Sequence, residues 1–307
     1  MKFEEYARMT EPELIARCEE LKKVRNAVVL GHNYQVESVQ LVSDHLGDSL
    51  VLARIGAESD ADLIVLCGVH FMAESAKILN PEAKVVLPSL SAGCPMADMI
   101  TAEQLRGFKA QHPGAPVVCY VNTSAAVKAE SDVCCTSSNA VRVVESLDAD
   151  EILFVPDRNL GAYVASQTGK NVVPWDGFCY VHNMFVPEDV VVATAAHPGA
   201  PVVVHPECPP NIIDMADFVA STEGMVKLAE EHDSLIVGTE IGLVERLKRD
   251  FPGKSFYPLS PFAVCRNMKM IDLPQVVWSL DNEEHVIEVP ADVLDGARRS
   301  LERMLEC

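Results

Sequence analysis

One unit recurs three times along the chain, and this repetition restricts the fold more than any other feature. Each copy opens with a short, unbroken, β-branched apolar run of the kind that favours a buried parallel strand. The runs are NAVVLGHNYQ at 26–35, PVVCYVNTS at 116–124 and PVVVHPECP at 201–209. Cys94, Cys179 and Cys265, which close the three copies, lie 85 and 86 residues apart. Scattered structural cysteines have no reason to keep so even a spacing, so we interpret the chain as three related domains.

Polar residues recur in register behind each apolar run. An aspartate lies twelve residues after the polar residue that ends the run, and a hydroxyl residue follows five residues later. The three sets are His32, Asp44 and Ser49; Tyr120, Asp132 and Ser137; and His205, Asp217 and Thr222. Helix and strand patterns then alternate until a last short strand meets the cysteine loop. This order predicts an α/β protein with three pseudo-threefold-related α/β/α domains, each with a small parallel sheet, around a central active site.

The repeat also divides the chain into segments. We predict an N-terminal helix over 1–25, repeats over 26–110, 111–195 and 196–275, and a C-terminal closing segment over 276–307. Thr10 and Glu13 have the spacing of a capping box, which predicts that the N-terminal helix begins there. The tail ends in LDGARRSLERMLEC, a pattern typical of a helix outside the repeat.

Charge and composition argue against several classes of protein. The formal net charge of −20 disfavours nucleic acid and anionic membranes as partners, because both attract basic surfaces. The start of the chain lacks the apolar core of a secretory signal, and no apolar run approaches the roughly 18 residues of a membrane helix. We therefore expect a cytoplasmic protein whose ten cysteines serve as thiols, metal ligands or catalytic groups rather than as disulfides.

The three recurring cysteines indicate one metal centre. Thiolates suit both zinc and iron–sulfur clusters, but structural zinc usually draws on C-x2-C pairs, and none frames Cys94, Cys179 or Cys265. Three isolated ligands from three domains fit a cubane cluster better. Because such clusters are generally held by four cysteines, three ligands would leave one iron open as a Lewis acid. No other cysteine recurs in register, although Cys135 and Cys208 could lie near the pocket.

Side chains at the ends of the first strands are candidates for the reaction. The carboxyl ends of parallel strands form the ligand-binding edge of a sheet, and three such edges facing one axis would bring these side chains together. They are His32, Tyr120 and His205 at the strand ends, and Tyr34, Asn122 and Glu207 two positions later. This set supplies acid/base groups, hydrogen-bond donors and a carboxylate. A lone histidine is more often structural, but the alignment of the repeats favours a functional role.

The recurring hydroxyl residues occupy predicted helix starts. Ser49, Ser137 and the Ser221–Thr222 pair could simply cap these helices. The same positions also direct free main-chain N–H groups and a positive dipole end toward the axis, where they could hold carboxylate or phosphate. Arg158 and Lys269 could add positive charge, although Arg158 could equally lie on the surface.

Long stretches of the chain resemble the quinolinate synthase (NadA) family. The matching stretches include GHNYQ, GVHFMAESAKILNPEAKVVLPSLSAGCPMADM, CYVNTSAAVKAESDVCCTSSNAV, FVPDRNLGAYVA, WDGFCYVH, HPECPP, VGTEIGL and CRNMK, in order over roughly residues 28–275. The resemblance implies a triangular fold of three α/β/α domains around a central active site. It also implies a [4Fe-4S] cluster bound by Cys94, Cys179 and Cys265, with one iron left for substrate.

The resemblance implies a reaction and a set of residues as well. The family condenses iminoaspartate with dihydroxyacetone phosphate to quinolinate, phosphate and two waters in de novo NAD biosynthesis, which suggests functional coupling to an iminoaspartate-producing enzyme. By motif position the implied residues are His32, Tyr34, Ser49, Tyr120, Asn122, Ser137, His182, His205, Glu207 and Thr222. Tyr34, Glu207 and the three histidines would transfer protons. His182, three residues after Cys179, has no counterpart in the repeat pattern.

Two alternatives to this function remain at the level of sequence. The same open iron could act on a different hydroxy acid in another cluster-dependent hydro-lyase, or the cluster could belong to a sensor whose pocket holds a regulator. A sensor would not need a ring of His, Tyr, Glu and hydroxyl residues. Some family members also carry C-x2-C-x2-C ending at the third ligand, whereas this chain has PFAVCRN, so we expect no disulfide switch there.

Overall fold

Three four-stranded parallel sheets, each flanked by helices, make up the protein. The computed structural model describes residues 1–307. In every sheet the strands lie in the order second, first, third, fourth. The predicted class, three repeated α/β/α units with parallel sheets, is therefore confirmed.

Two helices precede the first sheet. They are α1 (Phe3–Tyr6) and α2 (Glu11–Val24). Thr10 precedes α2, and its main-chain N–H donates to the Glu13 carboxylate at 2.7 Å, as the capping-box pattern predicts. The first unit then runs through β1 (Ala27–His32), α3 (Glu37–Val42), β2 (His45–Gly47), α4 (Ser49–Glu58), β3 (Leu63–Cys67), α5 (His70–Leu79) and β4 (Lys84–Val86).

The second and third units repeat this succession. The second contains α6 (Ala102–Gln111), β5 (Val117–Tyr120), α7 (Ala125–Ala129), β6 (Val133–Cys135), α8 (Ala140–Ser146), β7 (Glu151–Val155), α9 (Arg158–Thr168) and β8 (Asn171–Pro174). The third contains α10 (Pro187–Ala196), β9 (Val202–Val204), α11 (Pro210–Ile213), β10 (Phe218–Val219), α12 (Thr222–Glu231), β11 (Ser234–Gly238), α13 (Ile241–Asp250) and β12 (Ser255–Pro258). No helix is long and apolar enough to span a bilayer.

Two C-terminal helices pack back onto the earlier units. They are α14 (Leu273–Asn282) and α15 (Ala291–Glu306). Helix α14 contacts α1, α2 and β3, whereas α15 packs against α5, α7 and β6 and so joins the first and second units. Fully buried side chains from all three sheets, such as Val29, Val118 and Leu235, belong to one contiguous apolar core. The three units are therefore held together by a shared apolar core.

Each sheet contains one strand that the sequence pattern did not reveal. This second strand is only two or three residues long and lies just before the hydroxyl residue, at His45–Gly47, Val133–Cys135 and Phe218–Val219. A strand this short carries no visible alternation. Its effect is to place the first strand inside the sheet rather than at its edge, so that the residues after the first strand lie near the middle of the carboxyl edge.

The recurring aspartates brace the first strands. One carboxylate oxygen accepts from the main-chain N–H of Val29, Val117 or Val202, at 2.8 Å in each repeat, and the aspartate N–H donates back to the same residue. Asp44, Asp132 and Asp217 therefore serve the fold rather than the reaction.

Substituting one of these aspartates should lower stability without touching the site. We expect Asp217→Ala to reduce the free energy of unfolding by about 1 kcal/mol, because it removes a hydrogen bond from a charged acceptor to the β9 backbone. Urea unfolding would measure the change, with Asp214→Ala, an exposed aspartate three residues earlier, as the matched control. Equal stability of the two variants would contradict the bracing role.

Candidate active site and metal centre

One cavity lies where the carboxyl edges of the three sheets meet. It is lined by every site residue predicted from the sequence, namely His32, Tyr34, Ser49, Cys94, Tyr120, Asn122, Ser137, Cys179, His182, His205, Glu207, Thr222 and Cys265. Apolar side chains, among them Val69, Phe71 and Met96, complete the lining. Residues that are far apart in the sequence are thus brought together by the pseudo-threefold arrangement.

The three cysteines lie in this cavity as free, partly exposed thiols. Burial raises the pKa of each thiol, that of Cys94 to about 12. Glu207 and the other two thiols raise the pKa of Cys179 further, because several negative charges would lie close together there. The main-chain N–H three residues after each cysteine acts in the opposite direction.

This set of donors fits a bound metal centre. Three neighbouring thiols resist ionising together, but a metal cation can replace their protons and hold all three as thiolates. No other cysteine lines the cavity, and none of the ten forms a disulfide. The cavity therefore offers three thiols and no fourth.

A second group in the same cavity could also hold a metal ion. The ligand atoms of Cys179, His182 and Glu207 all lie within 4.8 Å of one another. Glu207 and His182 are deeply buried, and their side chains are joined by a hydrogen bond of 2.7 Å between His182 Nδ1 and Glu207 Oε2. Cys179 belongs to both groups, so the two candidate metal-binding groups are contiguous.

His32 and His205 are held as neutral hydrogen-bond donors. The Nδ1 atom of each ring accepts the main-chain N–H two residues later, that of Tyr34 at 3.1 Å and that of Glu207 at 3.3 Å. This contact leaves the proton on Nε2, which in His205 lies 3.1 Å from Ser137 Oγ. Burial lowers the pKa of both imidazoles to about 3. They can donate to a ligand oxygen, and their part in proton transfer stays a prediction.

Glu207 is the centre of a buried, hydrogen-bonded group of ionisable side chains. Its carboxylate accepts from the Tyr120 hydroxyl and from His182 Nδ1. Burial by itself raises the pKa of this carboxyl, but the interactions with His182 and His205 and the hydrogen bonds from His182 and Tyr120 outweigh burial and hold the pKa well below its ordinary value. Burial, with Glu207 as the next largest cause, raises the pKa values of Tyr34 and Tyr120 well above their usual range.

Thr239 connects Tyr34 to His182 and was missed from the sequence. The Tyr34 hydroxyl lies 2.5 Å from Thr239 Oγ1, which lies 2.8 Å from His182 Nε2, whereas the direct distance from Tyr34 to His182 is 3.4 Å. Because His182 Nδ1–H faces Glu207, its Nε2 accepts from the threonine. A continuous path therefore runs from Tyr34 through Thr239 and His182 to Glu207. Thr239 follows β11, at a place where the other repeats have Gly68 and Pro156, so no repeated signal marked it.

The capping role considered for the recurring hydroxyls is wrong for Ser49 and Ser137, since α8 begins after Asn139, and is confirmed for the Ser221–Thr222 pair by Ser221. Asp48, not Ser49, caps α4, and Ser221, not Thr222, caps α12. Ser49 and Thr222 are instead the first helical residues and face the cavity. Neither hydroxyl caps a helix, and the Thr222 hydroxyl, which accepts from Asn33 Nδ2 at 2.9 Å, can still donate its own proton to a ligand.

The three helix starts are tied together by a chain of hydroxyl contacts. Ser138 Oγ donates to the Asp48 carboxylate and lies 2.8 Å from Ser221 Oγ, which itself accepts from Gly224 N–H. One residue from each unit takes part. These hydroxyl contacts fix the neighbouring residues Ser49, Ser137 and Thr222 relative to one another.

Asn122 has an unpaired polar atom in the cavity. Its Oδ1 is buried and has no hydrogen-bond partner within the protein. A buried amide oxygen without a partner costs free energy unless a ligand supplies the donor. This unpaired acceptor therefore indicates that the cavity binds a ligand with N–H or O–H groups.

The remaining sequence candidates lie outside the cavity lining. Cys135 and Cys208 are fully buried in the apolar cores. Arg158 lies at the surface and pairs with Asp176 at 2.7 Å. Lys269 contributes its charge behind the cavity, where its Nζ donates to the Tyr34 carbonyl at 2.5 Å.

Several known proteins are similar to this chain over nearly its full length. The family model described as Quinolinate synthetase A protein (NadA) matches residues 16–306. Quinolinate synthase of Methanoregula boonei is 54% identical over 287 residues, which are 93% of this chain and 95% of the relative. Quinolinate synthase 1 of Methanosarcina acetivorans is 50% identical over 97% of this chain and 98% of the relative. Quinolinate synthase of Dehalococcoides mccartyi is 53% identical over 296 residues, which are 95% of this chain and 98% of the relative.

Proposed function

The chain belongs to the NadA family of quinolinate synthases, and from this membership we propose that it condenses iminoaspartate with dihydroxyacetone phosphate. The products are quinolinate, one phosphate and two waters, so that all atoms are accounted for. The observation that carries the proposal is the convergence of the predicted residues of all three repeats on one cavity. We place the reaction in NAD biosynthesis in the cytoplasm, with iminoaspartate supplied by a separate iminoaspartate-producing enzyme.

We propose that Cys94, Cys179 and Cys265 hold a [4Fe-4S] cluster. The cavity offers three thiols and no fourth, which suits a cluster with one iron left for substrate. When bound, the cluster supplies a Lewis acid that assists loss of a hydroxyl group as water. The remaining chemistry falls to the side chains of the protein.

Binding of two anionic substrates falls to the hydroxyls and the neutral histidines. Ser49 and Thr222 begin helices whose positive dipole ends face the cavity, and such ends attract phosphate and carboxylate. His32 and His205 add Nε2–H donors, and the orphaned Asn122 oxygen accepts from an amine or hydroxyl. These local features offset the unfavourable net charge of −20. Holding both substrates in one cavity also removes much of the entropic cost of their meeting.

Proton transfer falls to the path that ends at Glu207. The carboxylate is ionised, because its pKa is lowered, and can accept a proton through His182. The path continues through Thr239 to Tyr34, whose raised pKa keeps the phenol protonated. Enolisation and dehydration each require a proton to be removed at one atom and delivered at another, and this path supplies both a base and an acid.

A purified sample tests the proposal directly. Isolated without oxygen, the protein is expected to contain about four irons and four sulfides per chain, and to form quinolinate from iminoaspartate and dihydroxyacetone phosphate. A protein that carries the cluster but forms no quinolinate would favour a hydro-lyase acting on a different hydroxy acid. A protein without iron would contradict the cluster assignment.

A further inference from the structure

The loop that carries each cysteine is tied to the helix that follows the third strand of its sheet. In every unit the first residue of that helix donates its main-chain N–H to the carbonyl two residues before the cysteine. The pairs are His70 to Ala92 at 2.8 Å, Arg158 to Gly177 at 2.9 Å and Ile241 to Ala263 at 3.0 Å. The main chain therefore holds the three loops in the same way.

Acidic side chains strengthen this connection in only two of the units. Asp157 and Glu240 immediately precede α9 and α13, and both are fully buried. One oxygen of each caps its helix, and the other accepts from the cysteine main chain, with 3.1 Å from Cys179 N to Asp157 Oδ2 and 3.1 Å from Cys265 N to Glu240 Oε1. In the first unit the same position is Val69, which has no such oxygen.

Helix capping does not explain these acidic groups. Helix α5 begins after Val69 without any side-chain cap, so this position does not need a carboxyl group for its helix to form. A cap also needs only one oxygen and works at the surface, whereas burying a carboxyl group carries a desolvation cost. The second oxygen of Asp157 and of Glu240 is directed at the main chain of a cysteine.

Glu240 also connects the Cys265 loop, through Lys269, to Tyr34. Lys269 Nζ lies 3.0 Å from Glu240 Oε1 and 2.5 Å from the Tyr34 carbonyl. The Cys265 loop of the third unit is thereby linked through two charged side chains to Tyr34 of the first unit. Asp157 makes no equivalent link to a cation.

We propose that Asp157 and Glu240 are positioning residues that fix Cys179 and Cys265 as ligands of the cluster. This inference rests on the proposed function, because it presumes that the cysteines hold a cluster. It goes beyond that function in assigning two residues that neither line the cavity nor contact substrate. Cys94 lacks an acidic partner, and its loop is held by main-chain hydrogen bonds alone, including the one from His70 of α5 to Ala92.

Isosteric amides test the inference. In Asp157→Asn and Glu240→Gln one oxygen can still cap the helix, but an amide N–H replaces the oxygen that accepts from the cysteine. We expect both variants to lose the cluster to an anaerobic chelator about tenfold faster than the unchanged protein, since residues that orient metal ligands typically affect metal affinity by 10–100-fold. The measurement is the decay of visible absorbance together with the iron retained per chain.

Asp272→Asn is the matched control. Asp272 caps α14 through Gln275 N–H at 2.9 Å and is exposed, so this substitution changes a cap without changing a cysteine contact. It should lose the cluster at the unchanged rate. The melting temperature of each metal-free variant separates misfolding from loss of positioning. Should Asp157→Asn fail to fold, Asp157→Ser keeps a single capping oxygen and takes its place.

The possible results are distinguishable. Unchanged cluster loss in both amide variants would overturn the inference, as would a lowered melting temperature with an unchanged rate. Absence of iron in the unchanged protein would instead overturn the proposed function. Faster loss in the amide variants but not in Asp272→Asn is the result that we expect.

Discussion

Replacing Cys179 with alanine is expected to remove the metal centre and to lower quinolinate formation to below about one hundredth of the unchanged kcat/KM. Cys179 belongs both to the three-thiol set and to the group with His182 and Glu207, so its loss removes a ligand under either arrangement. Even residues that only orient a metal ligand typically cost 10–100-fold, and loss of the ligand itself should cost more. Iron and sulfide content, electron paramagnetic resonance of the reduced protein and a quinolinate assay are the measurements.

A buried cysteine outside the cavity provides the comparison. Cys208→Ala removes a thiol that is fully buried, lies next in sequence to Glu207 and does not line the cavity. It should keep both iron and activity. If Cys179→Ala retained a full complement of iron and turned over normally, the assignment of the three cysteines would be wrong.

Replacing Glu207 with glutamine is expected to lower kcat by about 10²–10⁴-fold, the range usual for a general acid or base. The carboxylate now accepts from Tyr120 and His182. The amide cannot take up a proton, and its NH₂ group, itself a donor, would face one of these two donors. We expect the iron content and the cluster spectrum to stay unchanged. Near-normal activity would contradict the catalytic role of Glu207.

The same variant separates the two arrangements of the metal centre. If Glu207 were itself a ligand, in the group with Cys179 and His182, Glu207→Gln would lower the iron content along with activity. Cluster binding by the three cysteines alone predicts loss of activity without loss of iron. Iron content per chain therefore decides between the two.

Thr239→Val gives a graded comparison on the same path. Valine has the shape of threonine without its hydroxyl, so it interrupts the link between Tyr34 and His182 and leaves the carboxylate in place. We expect a loss in kcat of about tenfold, smaller than that of Glu207→Gln, because Tyr34 and His182 remain 3.4 Å apart. A Thr239→Val variant as inactive as Glu207→Gln would point to a different route for the proton.

The features that sequence predicts well here are those that recur in register. His32 and Tyr120 end their first strands and His205 directly follows β9, and the equal spacing of the cysteines placed one cysteine in every unit. A parallel sheet then places such residues at one edge, so repetition along the chain becomes proximity in space. His182 does not recur in the other two repeats, and only the resemblance to a known family pointed to it.

The features that sequence missed are those in which the repeats differ. The position before the helix after the third strand is Val69, Asp157 or Glu240, so no common residue type marked it. The hydroxyl contacts of Ser138 and the bridge made by Thr239 depend on neighbours from other units, which spacing within one unit does not specify. The capping error has a similar source, because Ser49 is next to the true cap, Asp48, and is an equally good capping residue by type.

The division of the ligands among the three units has a consequence for biosynthesis. Cys94, Cys179 and Cys265 each belong to a different third of the chain, and the last becomes available only when the third unit has left the ribosome. A nascent chain that has made two units offers two thiols, so the complete set of three cannot be offered to a metal centre before the third unit has been made. Loading of the cluster would thus mark chains that have been made and folded through all three units.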